Sequence, residues 1–532
     1  MNWYDNAIIY HIYPLGFCGA PKFNDNSEVQ YRLDKVLDWI DHFKEMNVDA
    51  VYFGPVFESV EHGYDTTDYR QIDRRLGDNN SFKNICKVLH QNGIRVILDG
   101  VFNHVGRKFP QFTDIQQNGR NSQYCGWFQN LNFDGQSPCG DNFWYEGWNG
   151  HYNLVKLNLR NPDVCNYLID TVNFWIEEFD IDGIRFDAAD CIDFDFFKQI
   201  RSFCKNKKSD FWLMGEIIHG DYKRWANPEM LDSVTNYECY KGLYSSHNDK
   251  NYFEINYSIN RQSGDYGIYK DINLYNFADN HDVNRLASTV NNQAYLKNIY
   301  TLLYTMPGIP SVYYGSEYGI QGRKENNSDD NLRPCLDLVA MQNENTDLYS
   351  HIVKLGRIYR AYPALRTGNY QTIIITNQQL LFKKELNGQI IYVALNLDDK
   401  EYDFHFNSQL NEMVDVISGN KVNVENRNAY FKAQPFSSYI IVADDIVNSV
   451  SEETKADEHD EHNEDKETEV MAGQKYRHYK GGEYEVIAVA QHSETLEELV
   501  IYKALYGDGK IWARPKSMFI NKVGDVKRFT LL

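Results

Sequence analysis

Three carboxylates are candidates for catalysis, because each follows directly on a short, distinctive run of residues. Asp187 ends the run Gly-Ile-Arg-Phe-Asp, Glu216 follows the run Phe-Trp-Leu-Met-Gly, and Asp282 ends the tripeptide Asn-His-Asp. Arg185 precedes Asp187 by two positions, so both side chains share one face of a strand and the guanidinium would keep Asp187 ionised. An ionised carboxylate suits a nucleophile. A structural ion pair at a strand end is the alternative for this segment taken alone.

Glu216 suits the complementary role of a proton donor. Ile217 and Ile218 follow it, and burial together with the two other carboxylates would raise its pKa. Such a pair combines one ionised and one protonated carboxyl. No Ser or Cys arrangement typical of a nucleophile competes with this interpretation.

Further polar side chains follow other strand-like segments. Each His alone is more often structural than catalytic, but joint placement of polar groups at one rim is difficult to explain by stability. The additional candidates are Tyr64, Asp99, Asn103, His104 and His281.

Eight strand-like segments, which alternate with helix-like ones, would position these residues. The predicted strands are 7–13, 50–53, 95–99, 183–186, 211–217, 233–237, 273–277 and 309–314. Helical periodicity predicts helices over 29–46, 81–92, 164–179 and 347–362. The alternation predicts an α/β fold, a (β/α)8 TIM barrel with its site at the carboxyl ends of the strands.

The remaining sequence predicts four further segments. We place the barrel at 1–103 and 160–367, an inserted domain at 104–159, an all-β sandwich domain at 368–443, a disordered acidic linker at 444–474 and a small β-rich module at 475–532. We expect most aromatics of the inserted domain to form its core and one or two to be ligand platforms. His492, Ser493 and Glu494 lack the dispersed spacing of a triad, so the terminal module is interpreted as a binding module with an unidentified partner.

Composition excludes several classes of partner. The formal net charge of −21 argues against nucleic acid and anionic membranes. No signal peptide and no run of 18 apolar residues is visible, so we expect a soluble, cytoplasmic protein. The 9 Cys show neither metal spacing nor a disulfide framework.

The ordered segments resemble the signature regions of the α-amylase family, glycoside hydrolase family 13, over residues 1 to about 443. The resemblance implies that Asp187 is the nucleophile, Glu216 the general acid/base and Asp282 the carboxylate that stabilises the transition state. Arg185 would orient Asp187. These types match the chemistry, because retaining glycoside cleavage needs a nucleophilic and a protonated carboxyl about 5–5.5 Å apart.

The same resemblance implies substrate contacts for other residues. His104 and His281 would hydrogen-bond sugar hydroxyls beside the scissile bond, Tyr64 would stack on that sugar, and Asp99 would support the site. The terminal module resembles a small bacterial domain family of unknown function.

Two segments bear on the subgroup and on calcium. Residues 154–158 contain the Lys-Leu-Asn form that is closer to neopullulanases, cyclomaltodextrinases and other oligosaccharide-acting members. Asp190 and Cys191 stand where many α-amylases carry a Lys-His pair linked to aglycone binding and calcium. We therefore expect no required cofactor. Asn103 is retained as a hypothetical calcium ligand, although calcium takes six to eight oxygens.

The expected activity is retaining hydrolysis of α-1,4-glucosidic bonds in maltodextrins or related oligosaccharides by double displacement. The expected partner is an α-glucan oligosaccharide, and a cytoplasmic enzyme would meet imported oligosaccharides or stored glycogen rather than granular starch. Transglycosylation or isomerisation on the same scaffold is one alternative. A noncatalytic carbohydrate-binding scaffold is another, against which the intact set of three carboxylates argues.

Overall fold

The computed structural model describes residues 2–25, 28–325, 328–342, 346–444, 470–479, 481–491, 498–507, 509–520, 522–523 and 526–532. These residues form two compact units, one within Met1–Val450 and one within Ser451–Leu532. The predicted acidic linker falls outside the described residues from 445 to 469, and so do His492, Ser493 and Glu494.

An eight-stranded parallel sheet in the first unit confirms the predicted barrel. Its strands, labelled β1 to β8 in chain order, are Ile9–Ile12, Ala50–Phe53, Arg95–Gly100, Gly183–Phe186, Trp212–Gly215, Ser233–Val234, Tyr275–Phe277 and Ile309–Tyr313. Pairing runs from β6 through β5, β4, β3, β2, β1 and β8 to β7. A bridge between Thr235 and Tyr275 then joins the two ends of the sheet.

The barrel strands are apolar because both of their faces are covered. Every residue of β1, β2, β4 and β5 is buried, as expected for parallel strands enclosed by helices. A cluster that includes Tyr52, Trp212, Met214 and Phe277 is separate from the larger surrounding core. Polar side chains therefore concentrate at the carboxyl ends of the strands.

Helices lie between the strands, close to the predicted positions. Asp78 caps the helix Asn79–Gln91 by accepting a hydrogen bond from Ser81 N. The α-helices are Pro14–Phe17, Ile40–Glu45, Asn79–Gln91, Pro110–Asn118, Pro162–Phe179, Phe194–Lys207, Tyr237–Asn248, Tyr252–Ser263, Leu286–Thr289, Tyr295–Thr305, Leu338–Gln342, Thr346–Ala361, Pro363–Thr367 and Lys516–Ile520. Among the described residues no helix is long and apolar enough to cross a membrane.

The first predicted helix, 29–46, differs from the structure. Arg32–Trp39 forms 3₁₀ turns, and α-helix begins only at Ile40–Glu45. The N–H groups of Gln30 and Leu33 donate instead to the carbonyls of Arg74 and Leu76. In an α-helix that begins at residue 29, the Leu33 N–H would pair with the carbonyl of Val29. Its bond to Leu76 therefore excludes that helix.

Three antiparallel sheets accompany the barrel in the described part of the first unit. A three-stranded sheet, formed between β3 and β4, consists of His104–Gly106, Gly147–Trp148 and His151–Lys156. A two-stranded sheet, formed between β2 and β3, pairs Phe57–Ser59 with Thr66–Ile72. After the barrel, an eight-stranded antiparallel sheet confirms the predicted all-β domain. Its strands are Asn369–Ile375, Gln379–Leu386, Gln389–Asn396, Tyr402–Asn407, Met413–Asp415, Lys421–Glu425, Asn428–Ala433 and Ser437–Ala443.

The second unit is a small β-rich module, as predicted. Five strands form one sheet around a core that includes Tyr476, Val500 and Phe519. The strands are Lys475–His478, Glu483–Gln491, Glu498–Ala504, Ile511–Pro515 and Phe529–Leu531, with a separate pair at Lys522–Val523 and Val526–Lys527.

Candidate active site

Four predicted carboxylates lie at one rim of the barrel. Asp99 is the last residue but one of β3, and Asp187 directly follows β4. Glu216 directly follows β5, and Asp282 lies in the loop after β7. Parallel strands place their carboxyl ends at the same face. The fold thus brings together residues that are up to 183 positions apart in the chain.

Arg185 joins three of these carboxylates. Its Nη1 donates to Asp187 Oδ1 at 3.0 Å and to both oxygens of Asp99 at 2.9 Å, while Nη2 lies 2.8 Å from Glu216 Oε2. Asp99 and Arg185 are register partners on β3 and β4. The sequence predicted the Arg185–Asp187 pair, but not that one buried guanidinium would also hold Glu216.

The backbone at the end of β4 and just after it also holds Glu216. Glu216 N donates to Phe186 O at 2.9 Å, and Ala188 N donates to Glu216 Oε2 at 3.2 Å. Ala188 has φ of +44°, a left-handed conformation that is uncommon for a residue with a Cβ. This strained turn directly after Asp187 aims its N–H at the Glu216 carboxyl.

One cation among three carboxyls leaves an excess of negative charge. Burial raises the pKa of Asp187 well above its usual range; Arg185 opposes this shift, and Glu216 and Asp99 add to it. Asp187 is therefore harder to ionise in this site than a free carboxyl, although Arg185 lies 3.0 Å away. The sequence predicts that Arg185 keeps Asp187 ionised, whereas in the structure burial and the neighbouring carboxyls outweigh Arg185 and raise the pKa of Asp187.

Asp282 lies in a different electrostatic environment. His281 Nε2 is 3.0 Å from its Oδ2, and Arg333 Nη2 is 3.0 Å from its Oδ1. Burial opposes ionisation, but His281, Arg333 and Arg185 hold the pKa of Asp282 below its usual range. Asp282 is thus the carboxylate that the surroundings keep ionised.

Arg333 was missed by the sequence analysis. Besides Asp282, it contacts Asp329 Oδ2 and the carbonyl of His281, each at 3.0 Å, and its guanidinium lies 4.4 Å from the centre of the Tyr13 ring. Arg333 lies in a loop beyond β8, 51 residues from Asp282. No local pattern in the sequence connects it to the site.

Tyr64 and His281 contact each other beside Asp99. The Tyr64 hydroxyl touches His281 Nε2 and donates to Asp99 Oδ2 at 3.1 Å. Their rings are nearly parallel, at 8°, with centroids 5.5 Å apart, and the ring of Tyr13 lies at 10° to that of His281. Tyr52 adds a second hydroxyl to Asp99 at 2.8 Å. Asp99 therefore anchors both Arg185 and Tyr64.

His104 has a ring nitrogen without a hydrogen-bond partner in the described part of the chain, and this nitrogen lies close to Asp187. Its Nε2 is 3.9 Å from Asp187 Oδ2 and has no hydrogen-bond partner among the described residues. Its Nδ1 contacts Asn103 Nδ2 at 3.1 Å. Because an amide nitrogen can only donate, Nδ1 accepts and the ring proton is assigned to Nε2. Burial lowers the pKa of His104 to about 3, so the ring is neutral.

Asn103 orients His104 in this arrangement. Its side-chain Nδ2 contacts that ring, and its backbone carbonyl accepts from Leu157 N at 2.9 Å. The described residues contain no group of three or more His, Cys, Asp or Glu side chains suited to hold a metal ion. We therefore derive no catalytic step through a cation, and calcium binding by Asn103 stays a prediction.

The inserted sheet supplies the wall beside His104. The Trp148 ring is 5.4 Å from the His104 ring, and Trp148 is only half-buried. Most other aromatics of residues 104–159 are core: Phe128, Phe143 and Tyr145 are buried. Trp148 is accordingly the half-buried aromatic of this segment that packs beside His104.

Comparison with known proteins identifies two domain families. The catalytic domain of α-amylase matches residues 22–347, and a protein family of unknown function, DUF1653, matches residues 474–531. A cyclomaltodextrinase from a Bacillus species is 30% identical over 421 residues, which cover 74% of this chain and 73% of that protein. An intracellular maltogenic amylase of Bacillus subtilis is 28% identical over 463 residues, covering 83% and 75%.

Solved structures give the same result. A cyclomaltodextrinase structure superposes with a TM-score of 0.73 at 26% identity and covers 82% of this chain and 78% of the other. The shared part includes the barrel.

Proposed function

The chain belongs to the α-amylase family and is a glycoside hydrolase, and on that premise we propose that it cleaves α-1,4-glucosidic bonds of maltodextrins or related oligosaccharides with retention of configuration. One observation carries the proposal. Arg185 places Asp187 and Glu216 on neighbouring nitrogens of one guanidinium, at 3.0 and 2.8 Å. Two carboxyls held so closely fit double displacement, in which no water needs to stand between them.

Double displacement requires Glu216 to be protonated and Asp187 to be ionised when the substrate is bound. Ionised Asp187 then attacks the anomeric carbon. Glu216 gives its proton to the leaving oxygen, and a glycosyl ester of Asp187 forms. Glu216 next takes a proton from water as this water attacks the glycosyl ester and cleaves it. Glu216 is then protonated again, and Asp187 is ionised again.

Other residues stabilise the charge that develops on the sugar. Asp282, kept ionised by Arg333 and His281, faces the positive charge of the oxocarbenium-like transition state. The unpartnered Nε2–H of His104 donates to a ring hydroxyl. We further propose that Tyr64 and His281 contact the same sugar.

Relatives support oligosaccharides as substrates. Proteins named cyclomaltodextrinase and intracellular maltogenic amylase cover 74% and 83% of this chain. We propose by analogy that this chain acts on short or cyclic α-glucans in the cytoplasm.

The test is a time course of products from maltoheptaose, β-cyclodextrin and pullulan, followed by chromatography and by NMR of the anomeric protons. We expect shorter maltodextrins that appear first as α-anomers. Asp187→Asn and Glu216→Gln should each lower kcat by at least about 10³-fold. Asp195→Asn is the matched control, because Asp195 is an exposed residue of the helix Phe194–Lys207 and should keep full activity.

Three results would contradict the proposal. Initial β-anomers would show inversion, products longer than the substrate as the main outcome would show transglycosylation, and full activity of Asp187→Asn would remove the nucleophile. Absence of cleavage of every α-glucan would favour the carbohydrate-binding alternative.

A further inference from the structure

A chain of hydrogen bonds connects the loop of Asp282 to Glu216. Asn280 Oδ1 accepts from the backbone N–H groups of Asp282 and Val283 at 2.8 and 3.2 Å. Asn280 Nδ2 donates to the Tyr237 hydroxyl at 3.3 Å, and that hydroxyl lies 3.3 Å from Glu216 Oε1. Two side chains, those of Asn280 and Tyr237, thereby link the backbone at Asp282 to the carboxyl of Glu216.

The direction of these bonds follows from their ends. Because Asn280 Oδ1 already accepts two backbone N–H groups, its Nδ2 must be the atom that faces Tyr237. An amide nitrogen only donates, so the Tyr237 oxygen accepts and its own O–H is free to donate. The acceptor that remains within reach is Glu216 Oε1.

The two oxygens of Glu216 have different partners. Oε2 faces Arg185 Nη2 at 2.8 Å and Ala188 N at 3.2 Å, and both of these groups are donors. A proton on Oε2 would meet their hydrogens, so the proton of the neutral acid belongs on Oε1. The Tyr237 O–H occupies one side of Oε1. The proton that Glu216 carries on Oε1 must therefore point away from Tyr237.

Tyr237 itself is held firmly. It is the first residue of the helix Tyr237–Asn248, which Asn236 caps by accepting from Cys239 N at 3.2 Å. Its ring meets that of Phe277 on β7 edge to face, with centroids 4.9 Å apart. The hydroxyl is therefore fixed relative to the barrel rather than to the substrate.

We propose that Tyr237 is a positioning residue for the general acid/base. Its hydroxyl, oriented by Asn280, holds Glu216 Oε1 so that the proton on this oxygen is directed at the glycosidic oxygen. This inference rests on the proposed role of Glu216. It assigns Tyr237 to proton transfer and not to binding of the sugar.

The test compares two leaving groups in the full-length protein. Departure of a maltodextrin from maltoheptaose needs the proton of Glu216, whereas departure of fluoride from α-maltotriosyl fluoride does not. The value of kcat/KM reports steps up to the first irreversible one, so for the fluoride it excludes the later base step. The ratio of the two kcat/KM values is also independent of the folded fraction of the enzyme.

We expect Tyr237→Phe to lower kcat/KM for maltoheptaose by about 5- to 20-fold, which corresponds to loss of one hydrogen bond. The value for the fluoride should stay within about twofold, so that the ratio falls. Tyr240→Phe is the matched control: Tyr240 lies one turn along the same helix and also packs on Phe277, and the ratio should not change.

An unchanged ratio for Tyr237→Phe would overturn the inference, whether both values fall together or neither does. Glu216→Gln serves as the reference and should lower the ratio far more. If Glu216→Gln leaves the ratio unchanged, the role of Glu216 fails first, which separates failure of the proposed function from failure of the role of Tyr237.

Discussion

Arg333 Nη2 lies 3.0 Å from Asp282 Oδ1, across 51 positions of sequence. The guanidinium is nearly buried and also spans to Asp329. Arg333 thus gives Asp282 a cation of its own, while Asp187 and Glu216 share Arg185. The surroundings keep Asp282 ionised, whereas burial raises the pKa of Asp187.

Removal of Arg333 should shift the acid limb of the pH profile. Arg333 helps to hold the pKa of Asp282 below its usual range, so Arg333→Met raises that pKa and less Asp282 is ionised at low pH. We expect the acid limb of kcat/KM to move to higher pH and the plateau to fall by about 10- to 100-fold. Lys324→Met is the control, since Lys324 pairs with Asp329 but not with Asp282. An unshifted acid limb would contradict this assignment.

His104 should act as a neutral donor over the whole working range. Its pKa of about 3 means that it does not titrate between pH 5 and 8. We expect His104→Ala to lower kcat/KM by about 10-fold or more without shifting either limb of the pH profile. The exposed His405 supplies a control in His405→Ala. Movement of a limb near pH 6.5 in the wild type, absent in His104→Ala, would show that His104 titrates there.

Calcium should not replace the role of Asn103. Since Asn103 Nδ2 orients the His104 ring, Asn103→Ala should lower kcat/KM by about 5- to 10-fold. Added calcium should not restore it, and a chelator should leave wild-type activity and Tm unchanged. Activity that is lost with chelator and regained with calcium, but not with magnesium, would instead support Asn103 as a calcium ligand.

A buried lysine in the all-β domain should make stability depend on pH. Lys384 is fully buried, its Nζ has no hydrogen-bond partner among the described residues, and burial lowers its pKa to about 7. In the unfolded chain the pKa is near 10.5, so between pH 7 and 10.5 the unfolded state binds more protons. The free energy of unfolding should therefore rise with pH across this window.

Lys384→Met tests this directly by calorimetry at pH 7 and 9.5. We expect a higher Tm at pH 7 and a weaker dependence on pH, with a total effect of about 3–5 kcal/mol across the window. Lys383→Met is the neighbouring control, because Lys383 pairs with Glu385 at 2.8 Å. Equal pH dependence of wild type and Lys384→Met would show that the buried amine is not the cause.

The sequence by itself determined the barrel and the residue types at its rim. Apolar runs such as that before Asp187 predict buried strands, and the alternation with helices predicts that their carboxyl ends meet. Asp187, Glu216 and Asp282 could therefore be named before any coordinates. The helix over 29–46 was the main local error, because its first donors bond to the loop near Arg74 and Leu76.

Only the tertiary structure decided how these groups are partnered. The sharing of Arg185 by Asp99, Asp187 and Glu216, the pairing of Asp282 with Arg333, and the contact of Tyr237 with Glu216 join separate βα units. A pKa and a hydrogen-bond direction depend on distances and burial in three dimensions, and sequence spacing contains neither. The residue types thus predicted the class of reaction, whereas the partners and pKa shifts of the carboxyls could be determined only from the tertiary structure.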